Sequence, residues 1–284
     1  MNWRKISIGN FFSRKKQVSS EIINRVAVKT LESFKSKALK RNLRIDIYQP
    51  AQVPDQGLSL LLFNDGQDME AVSLVTTLER LYTANKIKPV LVVGIHAGDR
   101  LHEYGTANQL DYQKRGSKAK VYTKFITKEL LPYLRKHYKL SRTPKDNAIA
   151  GFSLGGLSAF DIAWHHADLF GKVGVFSGSF WWRSKAFIPA DPDANRIVHD
   201  MVEVSKKREG LKFWLQTGTN DEQEDRNNNG IIDAIDDTLD LIRALKKLGY
   251  HEGEDIKYLE VIDGEHNPKT WGKVMPDFLQ WLNG

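Results

Sequence analysis

Cysteine is absent from the 284 residues. That absence excludes disulfides, thiolate metal sites and a cysteine nucleophile, and it is compatible with a reducing compartment. No apolar run approaches the roughly 20 residues of a membrane-spanning helix. Low-complexity linkers and internal repeats are missing too, so one domain is expected. Met1 to Gln17 lacks the continuous apolar stretch and small-residue cleavage site of a secretory signal, which makes a cytoplasmic location the expectation. The same stretch carries Arg4, Lys5, Arg14, Lys15 and Lys16 among Trp3, Ile6, Ile8, Phe11 and Phe12. Residues 1–20 are read as a flexible basic arm, or as a segment docking on a membrane surface or partner, ahead of a single unit over 21–284.

Lysine and arginine total 42 against 35 acidic residues, a net charge of +7. The basic residues are spread along the chain and no nucleic-acid motif accompanies them, so the charge is assigned to solubility and no nucleic-acid partner is expected. Hydrophobic residues at 41% and charged residues at 27% describe a soluble globular chain with enough apolar material for a sizeable core.

Two alternating stretches open the order of elements, Arg25 to Phe34 and Leu43 to Tyr48; they read as paired strands. Leu58 to Phe63 and Pro89 to Ile95 are continuous apolar runs, the pattern of strands buried on both faces. Further strands are expected at Asn147 to Gly151, Lys172 to Phe176, Leu211 to Gln216 and Ile256 to Ile262. Helices are expected at Met69 to Asn85, Val121 to Tyr138, Leu154 to His165, Arg196 to Lys207, Asp236 to Leu248 and Thr270 to Leu282. Apolar strands alternating with amphipathic helices imply an α/β fold: a mostly parallel sheet, helices on both faces and an antiparallel N-terminal edge. Ligands of such sheets bind beyond the carboxyl ends of the strands, which directs attention to the loops that follow them.

One of those loops is Gly151-Phe152-Ser153-Leu154-Gly155, a G-x-S-x-G turn between an apolar strand and a helix start. The spacing suits a nucleophile elbow, in which a serine hydroxyl projects from a sharp turn and glycines two residues to either side avoid collision. No lysine follows these glycines, so a phosphate-binding loop is a poor fit. The strand at Leu211 to Gln216 leads into Asp221 and Glu222, and the strand at Ile256 to Ile262 leads into His266. Serine, acid and histidine thus each follow a strand, in the chain order of an α/β-hydrolase. His266 is the candidate general base; it must be neutral to act, so activity is expected to fall at acid pH. Asp221 is the candidate acid that orients the imidazole, with Glu222 beside it as the alternative. The oxyanion needs two amides: Leu154, directly after the serine, and Gln67, in the loop Asn64 to Asp68 where Gly66 permits a sharp turn. Arg100 is a candidate for an anionic substrate group or for pairing with Glu103. Trp181 and Trp182 form either an aromatic substrate wall or core. His96 and His102, after a strand end, are candidates to line the pocket.

These residues resemble the esterase branch of the α/β-hydrolases, which includes enterochelin-type siderophore esterases, feruloyl and acetylxylan esterases, S-formylglutathione hydrolase and the mycolyltransferases. The resemblance spans about Arg25 to Trp281. It rests on NDGQD at 64–68, VGI with R-x-x-EY at 93–104, GFSLGG at 151–156, SGSFWW at 177–182, GTNDE at 218–222 and GEHN-x-x-x-W at 264–271. It implies an α/β-hydrolase fold, Ser153 as nucleophile, His266 as base, Gln67 as an oxyanion amide and no organic cofactor. The acid varies in position among such enzymes, which leaves Asp221 and Glu222 both open.

A second pattern follows the acid. Asp225, Asn227, Asn229, Ile231, Asp233 and Asp236 fall at the ligand positions of a calcium loop, with Gly230 at its turn. Asp236 stands where a longer glutamate is usual. A structural Ca²⁺ is therefore expected to fix the loop next to Asp221; the bland alternative is an Asn/Asp-rich turn. The function read from the sequence is hydrolysis of a small-molecule carboxylic ester through an acyl-enzyme on Ser153. The ester is a siderophore, a feruloyl or acetyl sugar, or a similar compound. Acyl transfer on the same fold and a catalytically silent calcium-dependent binding module are the alternatives.

Overall fold

The computed structural model describes residues 25–284, and the basic arm proposed for residues 1–20 lies outside them. The strands are β1 (Val26–Ser36), β2 (Arg41–Pro50), β3 (Ser59–Asn64), β4 (Val90–Ile95), β5 (Asn147–Phe152), β6 (Lys172–Phe176), β7 (Lys212–Asn220) and β8 (Ile256–Glu265). They form one eight-stranded sheet in the order β1-β2-β4-β3-β5-β6-β7-β8. β2 is antiparallel to both β1 and β4, while every pairing from β4–β3 to β7–β8 is parallel. The expected antiparallel N-terminal edge is therefore present.

The sequence explains which strands lie innermost. The runs LLLF in β3 and VLVV in β4 bury side chains on both faces, which only a centrally placed strand with helices above and below can do. Both faces are covered by α1 (Leu74–Thr83), α2 (Arg100–Glu103), α3 (Ala119–Phe125), α4 (Leu131–His137), α5 (Leu154–His165), α6 (Ile197–Glu203), α7 (Asp233–Lys247) and α8 (Pro268–Trp281). One apolar layer holds α1 and α8 against Phe63, Phe152 and Phe176 of the sheet. The other holds α3, α5, α6 and α7 against Leu62, Val93, Ile149 and Val173. α5 is apolar nearly all round and is buried along almost its whole length, as a helix packed at the centre of a domain must be.

Several helices depart from expectation, and the one read over Met69 to Asn85 spans only Leu74–Thr83. The helix read over Val121 to Tyr138 is broken by a π turn at Ile126–Leu130. Pro132, at the start of α4, supplies no amide to the preceding turn, and the widened turn absorbs the loss. α6 ends at Glu203, short of Lys207; Ser205 Oγ donates back to the Met201 carbonyl, and a reversal at Gly210 (φ 76°) leads into β7. Among the described residues no helix is long and apolar enough to cross a membrane.

Candidate active site

Ser153 stands between β5 and α5 with φ 52° and ψ −121°, a left-handed backbone that costs about 1–3 kcal/mol and persists only where surroundings enforce it. The surroundings here are specific. A Cβ on Gly151 would run into the backbone of Gly155, and one on Gly156 would come within 2.8 Å of Val175 Cγ1. A Cβ on Gly155 would strike Asp65 Oδ2. The Ser153 amide donates to the Phe176 carbonyl at 2.8 Å, and the Ser179 amide donates to the Ser153 carbonyl at 3.2 Å. The turn is thus held by the end of β6. Ser153 Oγ lies 3.2 Å from Ser179 Oγ, and Ser179 is buried.

The Leu154 amide lies in the first turn of α5, where amides have no intrahelical acceptor. Across from it, β3 is followed by Asp65 at φ 62° and a single 3₁₀ turn over Gly66–Asp68. A Cβ on Gly66 would come within 2.5 Å of the Gly94 carbonyl carbon, so only glycine lets this turn cross β4 so closely. Gln67 sits on that turn. Its Oε1 accepts from the Ala97 amide at 3.1 Å and its Nε2 donates to Asp65 Oδ1 at 3.1 Å. Asn64 Nδ2 donates to the Gly155 carbonyl at 2.8 Å, and Tyr122 Oη donates to Asn64 Oδ1 at 2.7 Å. The turn carrying Gln67 and the turn carrying Ser153 are therefore bolted to one another.

Arg100 is part of that bolt. It donates through Nε and Nη2 to the two oxygens of buried Asp65, at 2.8 and 3.0 Å, and through Nη2 to the Phe152 carbonyl at 3.2 Å. The expected partner Glu103 is engaged elsewhere, paired bidentately with Arg41 at 2.7 and 2.5 Å. The reason is position: Asp65, in its left-handed turn, points at the mouth of α2, whereas Glu103 faces the β2 side.

His266 follows β8, with Nδ1 3.1 Å from Asp221 Oδ1. Asp221 is buried, and its Oδ2 accepts from the Gly218 amide at 3.0 Å. Glu222 is in a different state: its carboxyl is pushed up to about 7, first by burial and then by the nearby charges of Asp237, Glu224, Asp233 and Asp221. A carboxyl that holds a proton near neutrality is a poor partner for an imidazolium. Trp271 meets the His266 ring edge-on at 5.5 Å, stacks on Phe152 at 4.5 Å and donates from Nε1 to Ser177 Oγ at 2.9 Å. Ser179 and Trp271 are contacts that sequence reasoning did not assign. They appeared only inside the motifs SGSFWW and GEHN-x-x-x-W, with no local feature marking them.

The two tryptophans divide. Trp182 is fully buried, whereas Trp181 is 36% exposed. The Arg115 guanidinium lies over both rings, 5.2 Å from Trp181 and 4.8 Å from Trp182. His102 hydrogen-bonds Ser117 Oγ at 2.9 Å. His96 contacts Asp46 at 2.5 Å and lines a cavity of about 380 Å³ beside the Gly66–Asp68 turn, together with Gln67, Met69 and Tyr48.

The calcium expectation does not fit the donors as placed. Asp225 accepts from the Asn229 and Gly230 amides at 3.1 and 2.9 Å. Asn229 Oδ1 accepts from the Ile231 amide at 2.8 Å, and Asn227 Oδ1 from the Asn229 amide at 3.2 Å. The side-chain amides of Asn227 and Asn229 both donate to Asp236 Oδ2, at 3.0 and 2.7 Å. Asp233 Oδ1 accepts from the Arg226 amide at 2.9 Å and lies 3.0 Å from Arg226 Nη1. Arg226, at the second position of the loop, supplies the positive charge that a cation would supply. Among the described residues no group of three or more histidine, aspartate or glutamate side chains converges on a metal position.

Arg226 belongs to a buried network behind the acid loop. It reaches Asp193 at 2.6 Å and Asp237 at 2.8 Å, while Arg196 reaches Asp237 at 2.6 Å and Asp240 at 2.5 Å. His199 packs there and donates from Nε2 to the Asp237 carbonyl at 2.8 Å. Burial, and then the Arg196 charge, push its pKa down to about 3. A histidine depressed in the folded state leaves stability intact above about pH 6.5 and erodes it as pH falls from there towards 3, by roughly 1 kcal/mol per pH unit. Melting temperature is therefore expected to decline over that window. His199→Gln, whatever its effect at neutral pH, is expected to flatten the decline; an unchanged slope would remove His199 as its cause.

A family model described as "Putative esterase" matches residues 36–282. The uncharacterized protein YbbA of Bacillus subtilis (strain 168) is 23% identical over 251 residues, covering 86% of this chain and 93% of that protein. The iron(III) enterobactin esterase of Dickeya dadantii is 29% identical over 191 residues, 64% of this chain and 40% of the relative. The enterobactin esterase of Shigella flexneri, solved in the presence of enterobactin, is similar in fold with a TM-score of 0.69 at 23% identity, over 90% of this chain and 58% of that one. The chain thus spans about half the length of the enterobactin esterases it matches.

Proposed function

This chain belongs to the Putative esterase family, and from that premise we propose that it is a serine carboxylic-ester hydrolase working through Ser153, His266 and Asp221. One observation carries the reading: a serine held at φ 52° on a strand-to-helix turn, at the sheet edge where a His–Asp pair also ends its strands. In this mechanism Ser153 Oγ attacks the ester carbonyl while His266 takes its proton. The Leu154 and Gln67 amides stabilise the oxyanion. His266 then protonates the leaving alcohol, and water attacks the acyl-enzyme by the same route in reverse. Asp221 fixes the imidazole tautomer through Nδ1. Arg100 holds the two oxyanion-bearing turns together through Asp65.

The substrate proposed is an ester with an aromatic or sugar portion, of the siderophore or feruloyl type. The half-exposed Trp181 ring, with Arg115 over it, offers a face for a planar group. Residues 21–284 are taken as the catalytic unit. The 225–236 loop is read as an ion-paired brace rather than a calcium site.

The test is hydrolysis of a short activated aryl ester, run in calcium and again in chelator. Turnover is expected, with equal rates in both. No turnover in either would overturn the esterase reading. A rate lost on chelation and restored by calcium would return the cation to the acid loop.

A further inference from the structure

The amino ends of the parallel strands, opposite Ser153, carry a second cavity, of about 320 Å³. Its charged lining is Lys88, Lys145, Lys172 and Lys212 against the Asp146 side chain and the main-chain carboxylate of Gly284, the last residue of the sequence, so positive charge is in excess. Lys172 and Lys212 are the first residues of β6 and β7, so their positions are fixed by the sheet itself. The Lys172 ammonium is drawn inward: the residue is 8% exposed, and Nζ donates to the Leu282 carbonyl at 2.6 Å and to the main-chain carboxylate of Gly284 at 3.2 Å. Asp146 is partly occupied, accepting from Ser141 Oγ at 2.6 Å. The pairs of a lysine with an acidic side chain among the described residues fall elsewhere, on Lys118, Lys139, Lys207, Lys246 and Lys247. Burial lowers the Lys172 pKa, and repulsion from Lys212, Lys88 and Lys145 adds to it against the pull of Asp146.

Like charges gathered in a concavity raise the affinity for a counter-ion of matching valence. The cavity is near the lower bound of small-ligand sites, about 300 Å³. It is too confined for a duplex, and a flat lipid surface would not reach Lys172. All of its cations are lysines, which act as point charges on tetrahedral phosphoryl groups; planar carboxylates are more often held by the arginine fork. We propose that this cavity binds a small phosphoryl anion of two or more negative charges, a pyrophosphate or a compact phosphate monoester. The site is independent of the ester chemistry. β6, five residues long, separates it from the serine by about 3.3 Å per residue.

The experiment is calorimetric titration of the full chain with inorganic pyrophosphate at constant ionic strength, with sodium chloride as the balancing salt. Saturable one-to-one binding is expected. The Lys145→Gln/Lys212→Gln variant is expected to bind at least about tenfold more weakly, and Lys246→Gln/Lys247→Gln on α7 to bind as wild type does. Aryl-ester turnover, read separately, is expected to stay the same in all of them. Non-saturable binding, equal weakening in both variants, or full binding retained by the first variant would each overturn the site. So would binding to anionic lipid vesicles without binding to pyrophosphate.

Discussion

Ser153→Ala is expected to lower kcat on an activated ester by about 10⁴-fold or more, since a lone member of a cooperating triad costs nearly as much as the whole. The fold should survive the change. The Ser153 amide bond to Phe176 and the Ser179 amide bond to the Ser153 carbonyl are backbone contacts, which alanine keeps. Among the described residues the one side-chain hydrogen bond of Ser153 is that with Ser179 Oγ. Ser153→Gly is the informative companion. Glycine relieves the positive φ, so this variant should be equally inactive yet melt higher than Ser153→Ala, by an amount reflecting about 1–3 kcal/mol of relieved strain. Burst kinetics and melting curves check both halves. An alanine variant retaining a tenth of the activity would end the serine mechanism.

Asp221→Asn is expected to be the next most damaging change, near 10⁴-fold in kcat at neutral pH with KM little altered. The amide would still fill the buried space and could still accept from Gly218. Against His266 Nδ1, however, it would favour the wrong tautomer and leave the imidazolium without its counter-charge. Glu222→Gln, one residue on, is expected to cost less than about threefold, because a carboxyl with its pKa near 7 is already partly neutral where the enzyme would work. The pair of variants decides between the neighbouring acids. Comparable losses in both would mean that the acid is shared, and a large loss only in Glu222→Gln would move the role to that residue.

Much of this was legible in the chain. α5 at Leu154–His165 and β6 at Lys172–Phe176 match the expected bounds residue for residue, because apolar pattern and glycine punctuation agree there. The elements that drifted are those whose ends are set by distant partners. α7 starts at Asp233 rather than Asp236, since the Arg226 side chain and the Glu224 carbonyl draw Asp233 into the helix start. The strand after Leu211 runs on to Asn220 because β8 continues alongside it. In the candidate site, the residues that follow strands could be proposed from order alone. Residues that support them could not. Arg100 meets Asp65 from 35 positions away, Ser179 meets Ser153 from 26, and Trp271 meets Ser177 from 94; none of these distances leaves a local pattern. The calcium expectation is not supported, for a related reason. Spacing marked the oxygens, but the arginine among them, at a position the loop pattern leaves free, took one of the carboxylates.

The collision that a Cβ on Gly155 would make with Asp65 reaches beyond this one molecule. Asp65 is also the anchor of Arg100, and Arg100 grips the carbonyl just before the serine. Two positions 90 residues apart in the chain are therefore a single heritable unit. A chain that acquires a side chain at 155 must first give up the carboxylate at 65, and with it the partner of the guanidinium at 100, so the route passes through an intermediate with an unpaired, partly buried charge. Change at these three positions is sterically and electrostatically closed one substitution at a time and open only in concert.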